Sequence, residues 1–447
     1  MLFRGLFLIE NIKNIIYTKN NKTKKTKMSK FIIQGSASLS GEIEVNGAKN
    51  SALKIIPASI LSKEKITINN LPEIEDIKNS LRLIEDLGAK VQKKGKKKIE
   101  IDPSLIKKTE ISPKRANKFR ASIMFAGPLL ARFGEVKFPH PGGCVIGAGG
   151  RPIDIFMEGF QALGAEIKEK DGFYQLKAPK LKGNSYFFPQ ISVTATENLM
   201  MTAVLAQGTT ILKNCALEPE IQHLAEYLNE QGAQIEGAGT STIKIKGVKK
   251  IKAGNFDIMP DRIETGSFAL MSAATRSSIT ITNCRPEHIE ILLTIFEKIG
   301  INFSQGKNWL KIKPASKIKP YSIKTHEYPG FPTDLQSPYT VLMTGAQGIS
   351  MIHETIYDRR LLYVDMLSQM GANIIMCDPH RIVVNGPAPL RGKKLESPDL
   401  RAGIALIIAA LTAKGKTEIG NIGQIDRGYE KIDERLQKLG ADIQRIN

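Results

Sequence analysis

Cysteine, histidine and aromatic residues are scarce in this 447-residue sequence, and each scarcity excludes a class of protein. The four cysteines, Cys144, Cys215, Cys284 and Cys377, lie far apart and match neither CxxC nor zinc-site spacing, which argues against a disulfide framework. No His, Asp and Glu residues cluster as metal ligands do, so we expect no metal and no other cofactor. Aromatic residues make up only 6%, and no Lys/Arg stripe with interleaved aromatics indicates a nucleic-acid surface.

Long apolar runs are also missing, which predicts a cytoplasmic protein without stable membrane association. The amino-terminal stretch MLFRGLFLIENIKNIIY is interrupted by Arg4, Glu10 and Lys13, and the polar run KNNKTKKTK follows it. We interpret residues 1–27 as a disordered extension or a mis-assigned start, with a weak membrane-surface helix as the alternative.

The net charge of +20 indicates an anionic partner or simply a basic, solvated surface. A nucleic acid, a membrane surface and a small polyanionic substrate would each explain such a surplus. The arginines discussed below fall inside separate motifs rather than in one basic run, which favours the small anion.

A repeated phrase organises the chain into six α/β units of about 70 residues. It reads LIEDLGAKV, FQALGAEIK, LNEQGAQIE, FEKIGINFS, LSQMGANII and LQKLGADIQ, with glycines at Gly88, Gly164, Gly232, Gly300, Gly371 and Gly440. Each phrase predicts a helix that ends at a glycine of positive φ and is followed by a strand. The short segments ITINN, TTILKN, ITITN, ISMIHE and TEIGN predict strands that precede these helices. Six units divide naturally into two domains of three.

The second unit departs from the others at a glycine-rich segment. Asn70 precedes Gly88 by 18 residues, whereas Pro139 precedes Gly164 by 25. The surplus lies in HPGGCVIGAGGRPID, a composition typical of a binding loop or lid. Cys144 lies between glycines there, and Arg151 would lower the thiol pKa, so we predict a reactive cysteine rather than an incidental one. The other three cysteines have strand contexts and are predicted to lie in or near the core.

Four further segments carry candidate charged groups, each with a structural alternative. Arg120 begins the apolar stretch RASIMFAGPLLARFG, where it either binds an anion or is a solvated helix end. Asp334, in EYPGFPTDLQSP, is either a general base or a helix N-cap. Lys49 and Asn50 follow a strand in EVNGAKNSALK.

Arg401 and Arg427 stand close in sequence to Asp399 and Asp426, in SPDLRAG and IDRGYE. Plain salt bridges between these sequence neighbours are the alternative to a role in binding a substrate.

Seven motifs together resemble the UDP-N-acetylglucosamine 1-carboxyvinyltransferase family, within the EPSP synthase-like superfamily. They are NGAKNSAL, RASIMFAGPLLARFG, PGGCVIG with RPID, DRIETG, FPTDLQ, DLRAG and IDRGYE, and they span residues 28–447 in the family's order. The resemblance implies an α/β fold of two similar domains, each built of three βαβαββ-type repeats around inner helices. Residues 49–258 would form the cysteine-loop domain, and residues 29–48 would join 259–447 to form the domain of the general base.

The resemblance also implies an activity, namely transfer of the enolpyruvyl group of phosphoenolpyruvate to the 3-hydroxyl of UDP-N-acetylglucosamine. This is the first committed step of peptidoglycan precursor synthesis, and we expect a monomer. A 3-phosphoshikimate 1-carboxyvinyltransferase is the alternative within the same fold, and a basic nucleic-acid or membrane-surface protein is the alternative outside it.

Roles for single residues follow from the same resemblance. Three residues would be catalytic: Cys144 as the acid of the loop, Asp334 as the base for the sugar hydroxyl, and Lys49, which would also bind phosphoenolpyruvate. Phosphoenolpyruvate would be bound by Lys49, Arg120, Arg151, Arg401 and Arg427. UDP-N-acetylglucosamine would be bound by Asn50, Arg120, Ser192, Val193, Asp334 and Ile356.

The sequence departs from the family's pattern at several of these positions. Gly149 and Gly150 are extra residues before Arg151, and Thr194 replaces a glycine. The segment at 356–359 reads IYDR, which weakens the transfer of the role to Ile356.

Overall fold

The computed structural model describes residues 29–142 and 153–447, which form an α/β fold of small sheets around buried helices. The strands are β1 Lys30–Gln34, β2 Ser40–Glu44, β3 Ile66–Asn69, β4 Lys90–Gly95, β5 Lys98–Asp102, β6 Glu135–Pro139, β7 Glu166–Lys170, β8 Phe173–Lys177, β9 Ser185–Phe187, β10 Thr209–Lys213, β11 Gln234–Glu236, β12 Thr242–Lys246, β13 Asn255–Asp257, β14 Ser278–Thr282, β15 Phe303–Gly306, β16 Trp309–Ile312, β17 Ile323–Lys324, β18 Gly348–His353, β19 Ile374–Asp378, β20 Arg381–Gly386, β21 Lys394–Glu396, β22 Lys416–Gly420 and β23 Ile443–Ile446. The α-helices are α1 Lys49–Ala58, α2 Glu75–Asp86, α3 Pro113–Ala116, α4 Ala126–Phe133, α5 Asp154–Ala162, α6 Val193–Ala203, α7 Pro219–Glu230, α8 Arg262–Ala274, α9 Glu290–Ile299, α10 Gln336–Thr344, α11 Val364–Gln369, α12 Leu400–Thr412 and α13 Ile432–Lys438.

The six repeat glycines end helices as predicted. Each has a positive φ, from +84° at Gly300 to +113° at Gly88, and each follows a helix directly or within two residues. A residue with a Cβ is strained in this conformation, so glycine lets the chain turn from the helix into the next strand. The five short segments predicted as strands form β3, β10, β14, β18 and β22, which confirms the repeat.

In four of the units an asparagine directly after an inner strand makes the same side-chain hydrogen bond. Asn70, Asn214, Asn283 and Asn421 have φ between +51° and +60°. The Nδ2 of each donates a 2.8 Å hydrogen bond to a carbonyl of the chain beside it. Asparagine tolerates this left-handed conformation, and its amide ties the strand end to its neighbour.

Three of the six sheets combine strands from distant parts of the chain, and the other three are built from consecutive strands. The sheet orders are β13-β3-β5-β4, β6-β8-β7, β9-β10-β12-β11, β2-β14-β16-β15, β17-β18-β20-β19 and β21-β22-β1-β23. The first described strand, β1, lies between β22 and β23, so the beginning of the chain completes the last unit. The sheet of the second unit is the exception, with three described strands.

The buried apolar residues form two separate cores. One core contains residues between Ala48 and Met259, and the other joins residues 31–45 to residues 263–443. The chain passes between the cores near Gly47, which forms an isolated bridge with Pro260. We propose that residues 49–258 and residues 29–48 with 259–447 are the two domains.

One helix of each unit lies inside a core, and these helices are α1, α4, α6, α8, α10 and α12. In α8 and α12 every residue except the last is buried. The 3-10 turn Ser59–Leu61 that continues α1 contacts α4, and the 3-10 turn Arg120–Phe125 that precedes α4 contacts α1. Helices α1 and α4 therefore run in the same direction.

Two further expectations concern membranes and cysteines. No helix among residues 29–142 and 153–447 is long and apolar enough to cross a membrane. Cys215 and Cys284 are buried as predicted, but the prediction for Cys377 was wrong. Cys377 is exposed because β19 is an edge strand whose outer face stays uncovered, with Ile375 61% exposed.

Candidate active site

The inner helices present most of the predicted charged residues at their amino-terminal ends. Lys49 is the first residue of α1, and Arg120 is the first residue of the 3-10 turn that leads into α4. Asp334 lies in the 3-10 turn Thr333–Leu335 just before α10, and Arg401 is the second residue of α12. The amino terminus of a helix carries unsatisfied N–H groups and partial positive charge, so this arrangement favours anions.

Asp76 joins two predicted cations from the two cores. Lys49 Nζ lies 2.8 Å from its Oδ2, and Arg427 Nε donates to its Oδ1 at 2.9 Å. Burial acts to raise the pKa of Asp76, but the charges of Lys49 and Arg427 outweigh burial and the net pKa is lowered. Burial lowers the pKa of Lys49, and Arg401 and Arg427 add to that effect while Asp76 opposes it. The three groups form one compact charged cluster.

Asp334 is held by two buried arginines. Arg360 contacts its Oδ1 and Arg401 contacts its Oδ2, each at 2.7 Å. Burial opposes ionisation of Asp334, but Arg401 and Arg360 outweigh it and hold the pKa of Asp334 well below its usual range. The carboxylate is therefore ionised at neutral pH. The N-cap alternative for Asp334 is wrong, because Pro332 holds the cap position of the turn and the side chain faces the arginines.

The suggested salt bridges between sequence neighbours do not form. The Asp399 carboxylate caps α12 by accepting from the backbone N–H groups of Arg401 and Ala402, and Asp426 pairs with Arg445. Arg401 also donates from Nη1 to the Tyr429 hydroxyl at 3.3 Å. Both arginines are thus directed toward carboxylates far away in sequence.

The carboxylate of one residue, Asp261, caps two helices, one from each core. Asp261 Oδ1 accepts from Ile263 N and Glu264 N at the start of α8, and its Oδ2 accepts from Lys49 N at 3.1 Å. This buried residue fixes the amino end of α1 against the chain crossing. Glu220 and Arg262 form a second link between the cores, with Arg262 Nε 3.1 Å from both carboxylate oxygens.

The predicted nucleotide contacts lie at the starts of elements in both cores. Ser192 caps α6 by accepting from Ala195 N at 3.3 Å, and Val193 is the first residue of that helix. Ile356 follows β18 and donates its N–H to the Glu354 carboxylate. Asn50 is half-buried beside Lys49 in α1. Cys144 and Arg151 lie outside the described residues.

Lys49, Asp334, Arg401 and Arg427 belong to one charged region. The charges of Arg401 and Arg427 act on Lys49, and the charge of Lys49 acts on Asp334. Among residues 29–142 and 153–447, no group of three or more His, Cys, Asp or Glu side chains is placed to hold a metal ion.

Sequence reasoning missed Asp76, Asp261, Arg360 and Tyr429. Asp261 and Tyr429 fall inside the motifs DRIETG and IDRGYE, so those motifs could have suggested them. Asp76 and Arg360 had no comparable signal, because their importance arises only from partners on other elements.

Comparison with known proteins shows the family to which the chain belongs. The model of the EPSP synthase (3-phosphoshikimate 1-carboxyvinyltransferase) family matches residues 33–436. A UDP-N-acetylglucosamine 1-carboxyvinyltransferase 1 of Carboxydothermus hydrogenoformans is 45% identical over 94% of this chain and 99% of the relative. A UDP-N-acetylglucosamine 1-carboxyvinyltransferase 3 of Caldanaerobacter subterraneus is 42% identical over 94% of this chain and all of the relative.

Solved structures share the fold at lower sequence identity. The enolpyruvyl transferase NikO from Streptomyces tendae superposes with a TM-score of 0.85 at 22% identity, covering 94% of this chain and 99% of that one. An EPSP synthase from Acinetobacter baumannii superposes with a TM-score of 0.73 at 17% identity, covering 94% and 100%.

Proposed function

Because the chain belongs to the EPSP synthase family, and within it to the UDP-N-acetylglucosamine 1-carboxyvinyltransferases, we propose that it is an enolpyruvyl transferase of peptidoglycan precursor synthesis. The enolpyruvyl group of phosphoenolpyruvate passes to the 3-hydroxyl of UDP-N-acetylglucosamine, and phosphate leaves. The observation that carries this proposal is the convergence of Lys49, Arg401 and Arg427 with Asp334 in one partly buried charged cluster. Near-full-length similarity to UDP-N-acetylglucosamine transferases favours that acceptor over shikimate 3-phosphate.

The reaction needs an acid and a base on opposite sides of the enolpyruvyl carbon. Protonation of C3 makes C2 electrophilic, the sugar oxygen bonds to C2, and its proton passes to the base. The resulting tetrahedral intermediate then loses a proton from C3 and expels phosphate as the C2–O bond breaks. We assign Asp334 as the base and Cys144 as the acid, each contributing roughly 10²–10⁴-fold.

The cations of the cluster suit the binding of phosphoenolpyruvate. We assign its phosphate and carboxylate to Lys49, Arg120, Arg151, Arg401 and Arg427, since arginine forks match both groups. Asp76 pairs with both Lys49 and Arg427 and leaves one positive charge over, and the substrate anions take over contacts that this carboxylate makes in the structure. When Arg401 turns toward the substrate, its hold on Asp334 weakens, which raises the pKa of Asp334 and makes it a better base.

The sugar nucleotide lies between the two cores in this proposal. We assign its contacts to Asn50, Arg120, Ser192, Val193, Asp334 and Ile356. We also propose that the enzyme is cytoplasmic and acts as a monomer, since the assigned residues all come from one chain.

Phosphate release by the purified full chain tests the proposal. We expect release from phosphoenolpyruvate only when UDP-N-acetylglucosamine is present, with formation of the enolpyruvyl sugar nucleotide detected by mass spectrometry. Shikimate 3-phosphate serves as the control acceptor. Release that depends on shikimate 3-phosphate instead would contradict the choice of acceptor, and a folded protein inactive with both would contradict the activity.

A further inference from the structure

Glu354 is a fully buried carboxylate that contacts two of the segments assigned to the sugar nucleotide, those of Asp334 and Ile356. It follows β18, and its exposed fraction is 0%. Its Oε1 accepts from Ile356 N at 2.9 Å, from Tyr357 N at 3.2 Å and from the Thr325 hydroxyl at 3.1 Å. Its Oε2 accepts from the Thr333 hydroxyl at 2.8 Å. Four donors from three segments thus converge on one carboxylate.

Two of those donors lie on the segments that carry the assigned residues Asp334 and Ile356. Thr333 directly precedes Asp334, the assigned base, and Ile356 is the assigned nucleotide contact on the other segment. The chain from Glu354 also leads to Arg360, which contacts Asp334 Oδ1 at 2.7 Å. The segment 354–360 therefore contacts two neighbouring residues of the Thr333–Leu335 turn, Thr333 through Glu354 and Asp334 through Arg360.

A backbone contact strengthens the frame around this carboxylate. Thr325 N donates to His353 O, and Thr355 N donates to the Thr325 hydroxyl at 2.8 Å. Glu354 N donates to His380 O at 2.8 Å, which ties the backbone of this residue to the neighbouring hairpin. With its backbone held on two sides, Glu354 provides a rigid reference for the two segments that it joins. Fixed positions matter because small displacements of catalytic groups reduce rates severely.

We propose that Glu354 is a positioning residue that couples recognition of the sugar nucleotide at Ile356 to placement of the base Asp334 through Thr333. This inference rests on the proposed function for the identity of the acceptor. Loss of the coupling should impair kcat and the KM for UDP-N-acetylglucosamine together. The KM for phosphoenolpyruvate should change less, because Lys49 and Arg427 are held by Asp76, although Arg401 contacts Asp334.

Thr333→Val and Thr333→Ser test the coupling most directly. Valine has nearly the shape of threonine but lacks the hydroxyl donor, and serine keeps it. We expect Thr333→Val to lower kcat/KM for UDP-N-acetylglucosamine roughly tenfold, the effect of one hydrogen bond to a charged group. Thr333→Ser should restore it to within about threefold of the wild type. Equal activity of the two variants would overturn the proposal.

A double-mutant cycle separates positioning from direct substrate contact. Glu354→Ala alone should lower kcat/KM for UDP-N-acetylglucosamine, and Thr333→Val should add little in the Glu354→Ala background. Effects that simply multiply would mean that Thr333 acts independently of Glu354 and would overturn the proposal. Glu327→Gln is a suitable control, because Glu327 is a partly exposed glutamate whose side chain lies 3.1 Å from the His326 ring and has no assigned role. It should leave kcat/KM unchanged.

Amide hydrogen exchange gives a readout that does not need activity. Exchange in peptides covering residues 331–336 and 354–360 should rise in Glu354→Ala and in Thr333→Val, but not in Thr333→Ser. Unchanged exchange in both segments would overturn the proposal. An inactive wild-type enzyme with the expected exchange pattern would refute the proposed function while supporting the positioning role.

Discussion

At the scale of single residues, Arg401 contacts partners that its neighbours in sequence do not suggest. The carboxylate of the nearby Asp399 caps α12, and Arg401 contacts Asp334 and Tyr429 instead. Its guanidinium centre lies 5.9 Å from the Tyr429 ring, which adds a cation–π contact. A planar, permanently charged fork suits these simultaneous contacts, and a lysine ammonium does not.

Arg401→Lys should therefore damage catalysis while keeping the charge. We expect kcat/KM to fall roughly 10²–10³-fold, the usual effect of losing one fixed donor in an active site. Steady-state kinetics measure this change. Arg445→Lys is the matched control, because Arg445 also binds two carboxylates, Asp426 and Asp433, away from the cluster. If Arg401→Lys kept kcat/KM within about threefold of the wild type, the assigned role would be wrong.

Helix α7 shows how one element links the two cores. Near its start Glu220 binds Arg262, and one turn later His223 Nε2 accepts from Met259 N at 3.1 Å. That hydrogen bond requires an unprotonated Nε2. Burial, with a smaller contribution from Arg285, lowers the pKa of His223 to about 4.

His223 should make the free energy of unfolding depend on pH. Between about pH 6.5 and pH 4 the unfolded chain binds a proton at this residue that the folded protein does not. The stability contributed by neutral His223 is therefore present above pH 6.5 and is lost as pH falls through this window, by up to about 3 kcal/mol. Urea titrations of the wild type and of His223→Gln at several pH values measure this change in the free energy of unfolding. Glutamine keeps an acceptor but does not titrate. Parallel pH profiles for the two proteins would contradict the prediction.

The whole molecule carries a net charge of +20, and the amino ends of inner helices from both cores meet at the charged cluster. Charges of one sign around a cleft raise the local concentration of substrates of the opposite sign. Both proposed substrates are anions, so the long-range field and the local arginines act in the same direction. Salt screens the long-range field of the net charge beyond about 8 Å at physiological ionic strength.

Raising ionic strength should thus weaken the use of phosphoenolpyruvate. We expect its KM to rise several-fold, and at most roughly tenfold, between low and high NaCl. Initial rates at fixed UDP-N-acetylglucosamine measure this change. The melting temperature over the same salt range is the control for folding, and a KM that does not change with salt would contradict a role for the net charge.

The sequence by itself determined the repeat and most of the charged candidates. Helix-ending glycines such as Gly300 are local requirements of backbone conformation, so the spacing of the six repeat glycines alone predicts six units. Motif resemblance identified Lys49, Asp334, Arg401 and Arg427, and the structure places these four in one cluster. Their individual roles stay predictions.

Only the tertiary structure decided which groups meet. Asp76 and Lys49 lie 27 positions apart, and Asp76 and Arg427 lie 351 positions apart, yet all three share one cluster. Glu354 gained its importance from Thr333 and Thr325 on other segments. Pairing of buried charges depends on how the two cores pack together rather than on nearness along the chain, because a buried charge must find a partner wherever the fold supplies one.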